Sequence, residues 1–294
     1  MTTSHVARGF SPAPLLRHFL LSSRNPDGGW PYYRDKASRL EPTVMALLAL
    51  GATGNVTGTD IVDRWPRRDG LFVDAAGEVN VAFNGQAALL LASYRNAPIA
   101  RDLVAALVRV HGIAMPNYSI NRQDNSIEAW AWTEGTFSWV ESTAWCMLGL
   151  KRLTRGRSDS AVAARLHDGE RFFADRVCHD GGWNDGNSNM LGTELPAYVP
   201  NTALALLALH DRAGEPFVVR SLAYLETHRV VETGAMALAL SRICLGVYDR
   251  PAQDVEAALI AEWSRSRYLE NLHVAALALY ALTAGVRGYE EFRV

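Results

Sequence analysis

The sequence predicts an all-α fold, an (α/α)6 toroid in which six helical hairpins close into an inner and an outer ring of helices. Three observations predict it. A phrase made of a glycine-rich turn, a polar stretch and a small-residue apolar helix recurs six times along 294 residues. The helix that ends each phrase is apolar nearly all round, and a helix without a polar face has to be buried on every side. Between these helices lie six more polar segments whose apolar residues gather on one face, as in Ser158 to Val177, where Val162, Leu166, Phe172 and Phe173 share a side. An open solenoid needs polar end caps. The last hairpin here is as apolar as the first, which favours closure.

The clearest copies are Asp27-Gly28-Gly29-Trp30 followed by Leu40 to Leu50, and Asp180-Gly181-Gly182-Trp183 followed by Val199 to Leu209. A third runs from Ser138 to Leu150, and weaker ones from Phe83 to Leu91, Val231 to Leu240 and Leu269 to Leu279. The inner helices are expected near residues 42–51, 83–95, 141–153, 200–211, 231–246 and 270–284. The outer ones are expected near 14–22, 58–64, 99–111, 158–177, 215–228 and 252–266. In the Asp-Gly-Gly turns the aspartate bonds its own turn backbone and the glycines accept positive φ. With no linker-like stretch, the whole span 1–294 reads as one domain.

Composition narrows the function classes. Apolar residues make up 49% and charged residues 20%, with a net charge of −2. That balance gives no electrostatic reason to expect nucleic acid or an anionic membrane as a partner. The three cysteines, Cys146, Cys178 and Cys244, have no paired spacing, so a reducing compartment is expected. The N-terminus lacks a basic start and a long apolar core, and no apolar run is long enough for a membrane span. The protein is read as cytoplasmic. No cofactor is implied. Cys178-His179-Asp180 falls short of a zinc ligand set, so no metal is expected.

The run Leu15 to Trp30 resembles the QW repeat of squalene–hopene and oxidosqualene cyclases, with Arg24 and Val177 standing where that repeat has glutamine. The Glu-Pro-Thr and Glu-Ser-Thr helix starts at Glu41 and Glu141 resemble prenyltransferase and squalene-oxidase repeats. The resemblance implies the toroid fold and an isoprenoid substrate. The Asp-x-Asp-Asp motif of class II cyclases is absent, as are the Asp-Asp-x-x-Asp motif of class I synthases and the Gly-Cys-Gly-Glu-Gln thioester motif. A cyclase built on this chain therefore needs a different acid.

Antiparallel hairpins in a ring send all inner helices the same way, so their N-termini meet at one mouth. Glu41, Asn84, Glu141, Asn201, Glu232 and Glu270 stand there, with Glu134 and Glu194 in the loops that lead to it. Taken singly, such a glutamate reads as a helix cap that satisfies free N–H groups and the positive end of the dipole. Taken as a set, crowded carboxylates at a dry mouth repel, and one keeps its proton near neutrality. Glu141 is the first candidate for that acid, with Glu134 or Glu41 beside it. Glu270 and His273 are spaced to share a helix face as an acid/base pair. Trp130, Trp132, Phe137, Trp139, Trp145, Tyr198 and Tyr280 are the candidate substrate wall, since aromatic faces stabilise cations and residues 128–141 are dense in both acids and tryptophans.

The leading functional expectation is a terpene cyclase-like enzyme that starts cyclisation or rearrangement of an isoprenoid or other polyene with a carboxylic acid. Its partner would be a hydrophobic small molecule, and a partner chain that completes the site is compatible with the sequence. The alternatives are a non-catalytic toroid that binds an apolar ligand or a protein, and an (α/α)6 glycan-processing enzyme. An apolar lumen closed by one carboxyl would favour the cyclase. A lumen filled by its own side chains would favour the non-catalytic toroid, and acids along an open groove the glycan enzyme.

Overall fold

The computed structural model describes residues 11–52, 60–75, 77–94 and 97–294. Among them the chain forms α1 (Ala13–Ser22), α2 (Leu40–Ala52), α3 (Asp60–Arg64), α4 (Val81–Ser93), α5 (Ala97–Arg109), α6 (Val140–Leu153), α7 (Ser160–Arg176), α8 (Val199–Ala208), α9 (Pro216–His228), α10 (Ala235–Val247), α11 (Gln253–Ser266) and α12 (Leu272–Thr283). The even-numbered helices form the inner ring. Each packs against the next, and α12 returns to α2, so the ring is closed. The odd-numbered helices lie outside it. Two antiparallel two-residue hairpins, β1 (Arg67–Arg68) with β2 (Leu71–Phe72) and β3 (Asn189–Met190) with β4 (Thr193–Glu194), are the strands the sequence pattern did not announce.

The helix ends differ from the expected ones for local reasons. The outer segment expected at 58–64 is α3 from Asp60, and residues 53–59 lie outside the described residues. The inner helix expected from 231 starts at Ala235 because Glu232 faces elsewhere, accepting the Val199 N–H at the start of α8. The helix expected to run to 211 stops at Ala208 and continues as a 3-10 turn, His210–Arg212. α12 starts at Leu272 with Asn271 as its cap, whose side chain accepts the Val274 N–H.

The repeated tryptophan is a clamp between rings. In three copies its backbone N–H donates to a threonine hydroxyl on the next inner helix: Trp30 to Thr43, Trp130 to Thr143 and Trp183 to Thr202. In the same three its indole N–H donates to a carbonyl near the end of an outer helix, Leu20, Leu107 or Phe173. All three rings are buried. A buried indole N–H needs a partner, and this one ties the outer helix to the inner. In the first turn Gly28 takes φ +93° while the Gly29 N–H donates to Asp27.

Inner helices α4 and α6 cross closest. A Cβ on Gly85 would lie 2.5 Å from the backbone of Trp145, and one on Gly149 would lie 2.5 Å from the Gly85 carbonyl. Only glycine permits that approach. The far end of the ring is filled by residues 284–294. Phe292 is fully buried against Trp145 of α6 and Tyr280 of α12, at 6.1 and 5.2 Å between ring centroids. Tyr289 packs against Gly246, and the carbonyl of Arg293 accepts from Arg152. No described helix is long and apolar enough to cross a membrane.

Candidate functional site

Glu41 and Glu141 hold the same place in two repeats, one residue inside an inner helix and two before the clamping threonine. Asp74 accepts the Leu40 N–H ahead of Glu41, and the Asp185 carbonyl accepts the Val140 N–H ahead of Glu141. One N–H at each helix start is thus satisfied by another group, and the capping expectation for the two glutamates concerns the remaining first-turn N–H groups and the helix dipole.

Glu41 is buried and accepts from the Tyr32 hydroxyl and, at 2.9 Å, from the Gln86 amide; His273 Nε2 stands 3.9 Å away. Burial first, and then the negative charge of Glu41, hold the Tyr32 phenol well above its ordinary value, so Tyr32 remains a donor. Two buried polar atoms beside Glu41, Gln86 Oε1 and His273 Nδ1, have no partner. Glu141 is half-buried. Its carboxyl is pushed up from the ordinary 4.5 to about 8 by burial, then by repulsion from Glu41 and from Asp185, against a smaller opposing effect of a hydrogen bond with Trp145. The direction of that shift favours the protonated form of Glu141.

Just ahead of α6 a cleft of about 260 Å³ opens between the loop at 113–127, the segment Phe137 to Trp139, the end of α7 and the loop Asp185 to Asn187. Asp185 links cleft and acid: it lines the cleft, repels Glu141 and is held by the Asn201 amide at 2.8 Å. Phe137, at 51% exposure, and the half-buried Trp139 line the cleft, while Tyr198 is exposed at the start of α8. Trp132, half-buried, sets its ring edge against Phe83 at 6.3 Å.

Other expected site residues lie apart. Glu134 is exposed on a loop, beside a depression of about 770 Å³ that Arg68 and Arg109 also line, and it is not among the charges that act on Glu141. Glu270 is exposed and does not share a helix face with His273. It ends a left-handed turn, Arg267 to Glu270, in which four non-glycine residues take φ between 52° and 56°. Such residues cost roughly 1–2 kcal/mol each, and this turn is held by Ser266, which accepts the Tyr268 N–H, and by the Tyr268 hydroxyl, which donates to Leu259. His273 faces Glu41 instead. Trp130 is the clamp of its repeat, fully buried under the Arg165 guanidinium at 3.9 Å, and is not part of an open wall. Tyr280 is buried at the far end and donates to Glu291. Trp145 spans the two ends, with Glu141 at one edge and Phe292 at the other.

Tyr32, Gln86 and Asp185 were missed from the sequence. Two of them carried a signal: Tyr32, Trp132 and Asp185 each stand two residues after a clamping tryptophan. Among the described residues no cluster of three or more His, Cys, Asp or Glu converges as a metal set.

No protein-family model and no curated protein matches the chain. Among solved structures the chain is similar to a GH76 alpha-mannanase of Bacteroides thetaiotaomicron, with a TM-score of 0.61 and 12% identity over 95% of this chain and 97% of that one. At that identity the likeness is one of fold, the (α/α)6 toroid.

Proposed function

We propose that this toroid is a glycan-processing enzyme that works at the open mouth of the inner ring with Glu141 as proton donor and Glu41 as the second carboxylate. The observation that carries the reading is a pair of equivalent glutamates in unlike surroundings. Glu141 is pushed up to about 8 by burial and by its acidic neighbours, whereas Glu41 sits among donors, the Tyr32 hydroxyl and the Gln86 amide. Two carboxyls set apart in this way supply the acid and its partner in one site. Glycoside cleavage asks for that division. One carboxylic acid protonates the leaving oxygen, and a carboxylate activates water or attacks the anomeric carbon.

The surroundings support a polar substrate over the polyene first expected. Below the acids Trp145, Tyr280 and Phe292 are all buried, with Phe292 packed on the other two, and they fill space that a polyene would have to occupy. An open cleft with aromatic side chains reaches the acids through Asp185, which lines it and repels Glu141.

The test is incubation of the purified protein with a panel of labelled oligosaccharides and aryl glycosides, read by release of reducing ends. Cleavage by the wild type that is lost in both Glu141→Gln and Glu41→Gln, with folding retained, supports the reading. Cyclisation of a linear polyprenol or squalene, or glycan cleavage that survives both substitutions, overturns it.

A further inference from the structure

We propose that the cleft ahead of α6 is a subsite that stacks a second sugar ring on Trp139 and Phe137, so that the site takes oligosaccharides and not single sugars. This rests on the glycan reading and names the kind of substrate. Trp139 differs from the other tryptophans. The three clamps and the remaining four all set an indole N–H or a ring against a neighbour. Trp139 is half-buried in the cleft wall, and among the described residues its ring meets no other ring and no cation, and its indole N–H meets no acceptor. Phe137 and Tyr118, 51% and 56% exposed, line the same cleft and are likewise without a ring partner. Aromatic side chains that converge unpartnered on one opening mark a binding surface.

The backbone ties this surface to the acid. Trp139 is the cap residue of α6, extended at φ −124° and ψ 147°, and Glu141 is two residues on. The Cα atoms of the two therefore lie within about 7 Å of each other. The Trp139 N–H donates to the Trp130 carbonyl at 2.9 Å, and its own carbonyl accepts the Thr143 N–H at 2.9 Å. The stacking residue is thus held on both sides by the clamp of its repeat, and a ring that rests on it lies next to the one at the acids.

The polar groups of the cleft distinguish a sugar from an apolar chain. Asn121 accepts the Leu191 N–H through Oδ1 at 2.9 Å, which leaves its amide N–H groups without a partner among the described residues. Asp185 accepts from Asn201 through Oδ1 at 2.8 Å, and its second oxygen has no such partner. A pyranose has one face of C–H bonds and an edge of hydroxyls that donate and accept. It covers the aromatic rings with the first and meets Asn121 and Asp185 with the second, whereas a prenyl or alkyl chain would leave both polar groups without partners. A cleft of about 260 Å³ falls just below the roughly 300–1,000 Å³ of ordinary ligand pockets, which suits one ring with the rest of the glycan outside.

The experiment is calorimetric titration of the Glu141→Gln protein with gluco-, manno- and xylo-oligosaccharides from the single sugar to the tetrasaccharide, beside a cleavage assay of the wild type on the same series. In the series that binds, affinity should rise by about tenfold when the second ring is added. Trp139→Ala with Phe137→Ala should erase that gain. Trp139→Phe keeps a flat face and should retain most of it, while removing the change in tryptophan fluorescence that binding produces. Phe137→Ala alone, at an exposed position, should reduce the gain without a change in the circular dichroism spectrum. Equal affinity for single sugars and longer chains in all three series overturns the proposal, as does a gain that survives the double substitution or an absence of binding throughout. Cleavage that depends on Glu141 and Glu41 but not on Trp139 and Phe137 overturns the subsite and leaves the glycan reading standing. Length-dependent binding that obeys the substitutions, with no cleavage by the wild type, supports the subsite and overturns the catalytic reading.

Discussion

The two ends of the inner ring each bury a glutamate under a tyrosine hydroxyl, and they treat it differently. At the far end Glu291 accepts from Tyr280 at 2.5 Å and is paired with Arg287 at 2.6 Å. At the mouth Glu41 accepts from Tyr32, but Arg39, whose guanidinium lies over the Tyr32 ring, is committed to Asp74 at 2.6 Å. A second carboxyl, Glu141, stands close enough to Glu41 to be pushed up by it, and Asp185 adds to the effect. Breaking a buried carboxylate–arginine pair is costly because an uncompensated charge remains; the far end is arranged as a fastening. The mouth gathers three acids around one position with no such pairing for Glu141, an arrangement that lowers stability unless a ligand or a reaction uses it.

Substitutions at the two ends should therefore fail in different currencies. Glu141→Gln is expected to lower turnover by about 10²–10⁴-fold, the range for losing a positioned general acid, and to keep or raise the thermal midpoint. Glu291→Gln is expected to do the reverse, lowering stability by about 1–3 kcal/mol because Arg287 and Tyr280 lose a charged acceptor, with turnover retained. Steady-state kinetics and thermal denaturation of the two variants side by side check the contrast. If Glu291→Gln also abolishes turnover at full folding, the division between the ends is wrong.

The plug at the far end gives the next largest effect. Phe292 is fully buried between Trp145 and Tyr280, so Phe292→Ala should cost about 3–5 kcal/mol through lost burial and the cavity left behind. Chemical denaturation measures it. A loss below 1 kcal/mol would mean that the tail lies loosely in the ring, and the filled lumen would no longer count against a polyene. Gly149→Ala should cost less, about 1–3 kcal/mol from overpacking. The added methyl meets the Gly85 carbonyl at 2.5 Å and Ala88 at 2.6 Å, so α4 and α6 must part. A neutral result in the same denaturation experiment would show that the crossing has slack.

How far the sequence revealed this molecule depended on whether a property belonged to one helix or to the packing of several. The inner helices were legible because α4, buried continuously from Val81 to Leu91, has no face for solvent. The mouth was legible because closure alone sets its direction, and that put Glu41 and Glu141 at one end. What lay beyond the pattern came from side-chain choice. Trp130, Trp139 and Trp145 look alike in a dense aromatic stretch, yet the first clamps an outer helix, the second lines a cleft and the third rests on Phe292. The turn that exposes Glu270 contains no glycine to announce its positive φ. The tail that fills the ring lies beyond the last expected helix, 270–284, and nothing in its sequence announces a buried plug. Gln86 lies inside an apolar helix, and only the register of α4 against α2 brings its amide to Glu41.

The smallest expected effect is a pH dependence of stability, and its sign follows from Glu141. The folded carboxyl is raised from 4.5 to about 8, so between those values the folded chain holds a proton that the unfolded chain has released. Unfolding then releases protons, and stability falls as pH rises through that window. Below pH 4.5 both states are protonated and the group contributes no penalty; above pH 8 both are ionised and the penalty is complete. Because the carboxyl is half-buried and solvent screens part of the repulsion, the loss should be about 1–2 kcal/mol. Glu141→Gln keeps the shape of the protonated acid and cannot ionise. The variant should therefore match the wild type near pH 5 and exceed it in stability at pH 8, whatever other groups titrate in between. Urea denaturation of both proteins at pH 5, 6.5 and 8 reads the difference directly. Parallel curves across the window would mean that Glu141 is already ionised at neutral pH. It could then no longer serve as the proton donor, and the contrast between the mouth and the far end would reduce to a difference in ion pairing.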